Sequence, residues 1–509
     1  MQAMRLPPCL AAGYSEVLIP SSALTMELFS DLPGDEGLPG QQRRRAMLAV
    51  MTATTMAVFD GTIINVALPQ ISLALHTSAA ASVWVANAYL LATAMTLAAF
   101  AALSSRLGFR IQFTAGLAVF TLASLGCALS RSVEWLIAMR VLQGLGGAAM
   151  LSIAPAIHRT VFPNRLLGRI LGLNAVLVAA GTAVGPVLGG TLLAALSWEW
   201  IFLINLPLGM VGVLLAWSAI PETRKPARAR FDMAGACWSA LAMGALIMAA
   251  DTCARLAEPG QGTQATLQAA AYALVALLAA LAFVRGQRRA PEPLLPLDIF
   301  ANARFSLAAL TSLVSFVGQG IAFVALPFLF QNGYGYSAFE SAALFTPWPL
   351  GIVLVAPHAG RLADRHSPAL LSSLGLALFT VGLALLALLP AHAQAWDIGW
   401  RALVCGMGFG FFQSPNNREM LGNVSRERSG NASGVLAIMR TFGQCLGAAL
   451  LGMILAIYTA HAVEQGSLQM SALEDGEAIR IALWVATAAT ALATAVSASR
   501  LRRQAQSPA

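Results

Sequence analysis

Arg43-Arg44-Arg45-Ala46-Met47-Leu48-Ala49-Val50-Met51-Thr52-Ala53-Thr54-Thr55-Met56-Ala57-Val58-Phe59-Asp60-Gly61-Thr62-Ile63-Ile64-Asn65-Val66-Ala67-Leu68-Pro69 decides the fold. Three arginines lead into a run whose single charged residue is Asp60. As a helix, residues 46–69 extend roughly 36 Å at 1.5 Å per residue, enough to cross a hydrocarbon core of about 30 Å. In lipid every backbone N–H and C=O needs an internal partner, and a barrel strand would be shorter and alternating, so the run reads as a membrane-spanning helix.

Similar stretches fill the rest of the chain. The expected spans are 46–69, 83–104, 111–129, 134–157, 170–194, 200–220, 232–250 and 265–284, then 305–330, 341–358, 369–389, 399–420, 433–460 and 480–498. Fourteen spans make an all-α polytopic membrane protein. The composition agrees: 58% hydrophobic and 11% charged residues, with a mean hydropathy of +0.70, lie outside the range of soluble domains.

The basic residues orient the spans. With a cytoplasmic N-terminus, Arg43 to Arg45, Arg106, Arg110, Arg159, Arg165, Arg169, Arg224 to Arg230, Arg285 to Arg304, Arg361, Arg365, Arg418 to Arg428 and Arg500 to Arg503 all fall inside, whereas Arg131 and Arg255 fall outside. Positive charge collects on the cytoplasmic side of membrane proteins, so both termini are expected there, in the plasma (inner) membrane. This arrangement accounts for the net charge of +8, and a nucleic-acid partner is not expected.

Two Pro-bearing basic connections divide the chain. The expected units are a tail at 1–45 with a late start at Met26 as an option, a six-helix bundle at 46–220, linkers with an inserted helix pair at 221–304, a second six-helix bundle at 305–498 and a tail at 499–509. Ala101 to Arg110 after the second span and Gly360 to His366 after the tenth form a faint repeat, as in duplicated transporters.

Several motifs occur in order: Asp60 to Pro69, Trp84 to Leu91, Arg140-Val141-Leu142-Gln143-Gly144, Gly181 to Gly190, Trp198 to Pro207 and Ser414-Pro415-Asn416-Asn417. Together they resemble the major facilitator superfamily, in particular its fourteen-span drug/proton antiporter branch, over about residues 46–501. The resemblance implies two bundles rocking about a central cavity, with the first and fourth spans lining it. It implies export of an amphipathic organic compound against inward proton flow, with no cofactor beyond the proton gradient. Uptake of a metabolite with protons, and ligand sensing without transport, remain the alternatives.

The residues support such chemistry on their own. A carboxylate inside a span costs about 3 kcal/mol on insertion scales, which marks Asp60 as a functional candidate. Desolvation favours the neutral form of an isolated carboxyl, suiting it to take up and release a proton. Arg140 comes at a similar depth, so an ion pair or a proton-controlled switch with Asp60 is open. A permanent pair would oppose proton carriage, and a fixed structural arginine is the plain alternative. Gln143 lies on the same helix.

Gly181, Gly185 and Gly189 recur every four residues, and Pro186 and Gly190 stand among them. Such a stripe permits close backbone approach, a packing feature that only the resemblance links to exchange. Asn65, Gln143, Gln319, Gln413, Asn416 and Asn417 are polar candidates for the cavity. Phe59, Tyr89, Phe316, Phe323 and Phe412 are aromatic candidates, also suited to a lipophilic cation. Arg106, Gly108, Arg110, Gly360, Asp364 and Arg365 are the gating-loop candidates. Ala101 and Ser105 stand where the family pattern has a glycine and an acid, and Ser367-Pro368 replace a trailing glycine in the second copy.

Other chemistries lack their residues. Lys225 is the single lysine and follows Arg224, so no phosphate-binding GxxxxGK loop exists. The six cysteines and six histidines are scattered, and neither a metal site nor an enzyme is expected. A periplasmic adaptor partner is not readable from the sequence.

Overall fold

The structure, a computed structural model, describes residues 28–33, 35–223, 231–254, 262–291, 293–390, 393–425, 428–464 and 472–506. Met26, Arg224 to Arg230, Arg255 and Arg426 lie outside the described residues. Fourteen long helices account for the spans: α1 Gly40–Ala74, α2 Ala79–Leu107, α3 Phe109–Ala128, α4 Val133–Val161, α5 Asn164–Ala195, α6 Trp200–Ala219 and α7 Met233–Ala254. They continue as α8 Gly262–Arg289, α9 Ala303–Gly333, α10 Ala338–Leu362, α11 Pro368–Ala387, α12 Ala395–Gly422, α13 Ser429–Glu464 and α14 Ala472–Gln506.

Among the described residues, thirteen of these are long and apolar enough to cross a membrane. The exception is α12, which has the length, 28 residues, but carries Asp397, Arg401 and the polar run Gln413 to Glu419. It packs closely against α10 and α11.

Helices also run past their expected ends. Gly40 donates to Asp31 Oδ2 at 3.0 Å, which lets α1 start among polar residues, and at its other end the helix continues through the buried Pro69. Hydropathy detects only the part in hydrocarbon, whereas the hydrogen-bond ladder continues into water. Local signals set the remaining ends. Ser78, Ser132 and Asn302 cap α2, α4 and α9 through their side chains, satisfying first-turn donors. Ser337 and Glu340 form a reciprocal capping box on α10. Gly108 separates α2 from α3 at a φ of 80°, where a side chain would be strained.

The two halves pack alike. In the first, α1 contacts α5 and α6, α4 contacts α2 and α3, and α3 contacts α6. In the second, α9 contacts α13 and α14, α12 contacts α10 and α11, and α11 contacts α14. These are the same five pairings with eight added to each label, two six-helix bundles of one design. Between them α2 meets α13, α5 meets α10 and α1 meets α9. The inserted α7 and α8 pair with each other, and α7 leans on α2 and α13. Few α8 residues are buried, and Leu267, Leu274, Leu277 and Leu278 are exposed, as a lipid-facing helix requires.

The bundles touch at the end remote from the chain termini. There Gln331 Nε2 donates to Val66 O at 2.9 Å, and a Cβ on Gly190 would come within 2.8 Å of the Ala342 Cβ. Toward the terminal face, a Cβ on Gly168 or Gly172 of α5, or on Gly430 or Gly434 of α13, would meet nothing within 4 Å. The cleft between the bundles therefore opens on the face that carries both termini.

Candidate functional site

Asp60 lies in α1, fourteen residues before the helix ends at Ala74, or roughly 21 Å along the axis. It is deeper than its distance from Pro69 suggests. Arg140 and Gln143 stand three apart on α4, hence on one helix face. Arg140 Nη1 donates to Asp60 Oδ2 at 2.6 Å, and Gln143 Nε2 donates to Asp60 Oδ1 at 2.7 Å. Both carboxylate oxygens are occupied by protein donors.

Neighbouring helices complete the cage. Arg140 Nε donates to Val85 O of α2 at 2.8 Å, and Nη1 also donates to Gln143 Oε1 at 2.7 Å. Gln143 Nε2 reaches Ser124 Oγ of α3 at 2.9 Å, to which Asn205 of α6 donates at 3.3 Å. The Tyr89 ring centroid lies 4.6 Å from the Arg140 guanidinium carbon, within cation–π range. The Asp60 and Arg140 side chains are 2% and 0% exposed. One donor, Arg140 Nη2, is buried with no hydrogen-bond partner. A buried ion pair contributes little net stability, but removal of one member leaves an uncompensated charge costing about 3–5 kcal/mol.

The glycine stripe explains how α1 is held. A Cβ on Gly181 would come within 2.9 Å of Val58, on Gly185 within 2.1 Å of Thr62, and on Gly189 within 2.7 Å of Ile63. Three glycines thus seat α5 against the segment of α1 that carries Asp60. Gly190 turns to the opposite bundle, and Pro186 is buried between them.

The other candidates are dispersed. Asn65 and Phe323 line a small recess between α1, α9 and α10 with Thr62, Val66, Pro327 and Phe345. Gln319 accepts from Gln444 of α13 at 3.1 Å. Phe323 packs edge-on against Phe345 and Trp348, and Phe316 and Phe412 both pack on Phe409 inside the second bundle. Gln413 and Asn417 are half-buried on α12. Of the loop candidates, Arg110 donates to Ile220 O at 2.7 Å, Arg106 lies over the Phe231 ring, and Asp364 pairs with Arg418. Gly360 faces Ser414, and Arg365 is exposed.

A second buried charge cluster went unread in the sequence. Arg500 Nη1 donates to Glu419 Oε2 at 2.8 Å and to Asn416 Oδ1 at 2.9 Å. Asn416 Nδ2 in turn reaches Ser312 Oγ of α9 at 2.8 Å. Asn416 is thus tied into the second bundle's core, and Arg500, expected in a solvated tail, is 1% exposed. Arg43 is likewise 1% exposed. It donates to Leu28 O, Ser30 O, Leu38 O and Asp31, pinning the segment before α1 rather than facing lipid headgroups.

Known proteins share this organisation. The Major Facilitator Superfamily pattern matches residues 50–448. The chain is 44% identical over 421 residues to the uncharacterized transporter YebQ of Escherichia coli K12, covering 82% of this chain and 91% of that one. It is 31% identical over 414 residues to the tetracenomycin C resistance and export protein of Streptomyces glaucescens, covering 81% and 75% of the two chains. In three dimensions it is similar to a bacterial homolog of the human lysosomal transporter Spinster in an inward-facing, unoccupied conformation. That likeness has a TM-score of 0.62 at 17% identity and covers 90% of this chain and 96% of that one. With paired bundles, a cleft between them and a matching pattern over most of its length, the chain belongs to the Major Facilitator Superfamily, a family of membrane transporters rather than enzymes.

Proposed function

We propose that this transporter exports amphipathic organic molecules in exchange for protons, and that Asp60, Arg140 and Gln143 form its proton-coupling site. The observation that carries the reading is the Asp60 carboxylate buried at depth with each oxygen held by a donor from α4. A proton on either oxygen removes an acceptor from Arg140 or Gln143, and the ion pair is lost. Arg140 is then a buried cation without its counter-charge, and the α1–α4 packing must rearrange or Arg140 must find another anion. Because α5 is seated on the same stretch of α1, such a change reaches the contact between Gly190 and α10.

The relative named for tetracenomycin C resistance and export supports outward rather than inward movement of the cargo. The arginine distribution supports an inner-membrane orientation with both termini cytoplasmic, which makes the open face of the cleft the cytoplasmic one. Proton entry from the opposite side would then drive the exchange by alternating access.

The test is proton release in reconstituted vesicles on addition of anionic, neutral and cationic aromatic probes. The parent protein should release protons with at least one probe, and Asp60→Asn with none. Equal responses from the two would remove Asp60 from the coupling, and accumulation in the reverse direction would make the protein an uptake symporter. Binding without any proton flux would make it a sensor.

A further inference from the structure

We propose that Arg440 is the docking point for an acidic group on the cargo, so that the transported molecules are amphipathic anions such as aromatic carboxylates. The proposal rests on the transport reading above and names its substrate class.

Arg440 lies eleven residues into α13, counted from Ser429, or roughly 16 Å from that end. The helix packs on α9 within its own bundle and on α2 across the interface. Gly443 and Gly447, one and two turns further on, are pressed against Leu313, Phe316 and Val317 of α9. Residues 440, 443, 444 and 447 share one stripe of the helix, so Arg440 points along an inward face and not toward lipid. It is nevertheless exposed, and it interacts electrostatically with Tyr89 on the far side of the interface. An exposed cation at this depth and on this face lies in the cleft.

Its charge is unbalanced. Asp60 and Arg140 neutralise each other, as do Glu419 and Arg500. Asp251, near the far end of α7, is engaged by the Trp84 indole at 2.7 Å. Among the described residues no hydrogen bond or ion pair holds Arg440. A lone arginine inside a membrane protein costs about 3 kcal/mol or more to place, and in surroundings of low dielectric it attracts an anion strongly. A guanidinium also presents parallel donors that match a carboxylate. Asp60 offers no comparable attraction for a cation, since both of its oxygens are taken.

Three probes that share one ring system and differ in charge decide the matter: pyrenebutyrate, pyrenebutanol and pyrenebutylamine. Binding is read by pyrene fluorescence with the full-length protein in lipid nanodiscs, without a proton gradient, so that failure of coupling and failure of recognition are separate results. The parent should bind the carboxylate at least about tenfold more tightly than the alcohol or the amine. Arg440→Gln should erase that preference, and Arg440→Lys should retain part of it. Equal or absent binding of the three probes by the parent, preference for the amine, or an unchanged preference in Arg440→Gln would overturn the assignment.

Discussion

Gln143 donates to the one Asp60 oxygen that Arg140 leaves free, at 2.7 Å. The carboxylate is thereby held by two side chains of a single helix, so any change at Asp60 is felt by α4 as a unit.

Removing the acid should therefore destabilise the protein as well as uncouple it. Asp60→Asn leaves Arg140 buried without a counter-charge, an expected loss of about 3–5 kcal/mol. Asp60→Asn combined with Arg140→Gln should recover much of the thermal stability in detergent but none of the proton release. Full recovery of both would show that the pair is dispensable for coupling.

Gln143→Leu tests the neutral arm of the cage. It strands one Asp60 oxygen, at an expected cost of about 1–3 kcal/mol, while Ser124 keeps its bonds to Phe120 O and Asn205. Gln143→Glu instead places a second carboxylate beside Asp60, and the pH dependence of proton release should change while Leu mainly lowers the melting temperature. Identical pH profiles in the two variants would count against a role in coupling.

The glycines of α5 should separate sharply by position. Gly185→Ala puts a Cβ within 2.1 Å of Thr62, and Gly190→Ala puts one within 2.8 Å of Ala342; each should cost about 1–3 kcal/mol as overpacking. Gly190→Ala should also raise cysteine labelling at the face remote from the termini, because it wedges the closed contact. Gly172→Ala meets nothing within 4 Å, and a gain of up to about 1 kcal/mol from helix propensity is expected. Equal melting temperatures across the three would refute the packing account.

Outside the membrane, Arg165 bonds Asp35 through both oxygens, at 2.8 and 2.6 Å. These bonds hold the Asp35 carboxyl at about 2, against an ordinary value of 3.8. A depressed carboxyl stabilises the fold above its ordinary value, and that contribution disappears as pH falls through about 2. Hydrogen-exchange protection in residues 35–38, relative to the intrinsic rate at each pH, should persist at neutral pH and be lost only in strong acid, whereas Arg165→Ala should remove it throughout. A transition near neutrality would rule this clasp out.

Charges were legible wherever they interrupted an apolar run. Asp60 and Arg140 stood out because each is a charge set well inside a largely apolar run, and the glycine stripe stood out by its period of four. Arg43, Glu419 and Arg500 did not, because at the end of a span composition is the same whether a side chain folds back into the bundle or enters water. Arg440 was visible as a charge in a span, but its orientation depends on which faces of α13 are taken up by α9 and α2, and that information is in the packing. The length of α12 was readable, whereas its polarity is tolerated because Asp397 pairs with Arg401 and because α9 and α14 hold Asn416 and Glu419.

The depth of Asp60 has an electrical meaning. Under the proposed coupling, a hydrogen ion coming from the closed face would cross a large share of the bilayer before meeting the carboxylate, and a complete crossing is worth about 2.3 kcal/mol for every 100 mV of membrane voltage. The proposed exchange would therefore respond to membrane voltage even between solutions of equal pH. Under that coupling the depth would act as an ion well, turning voltage into a local concentration of protons.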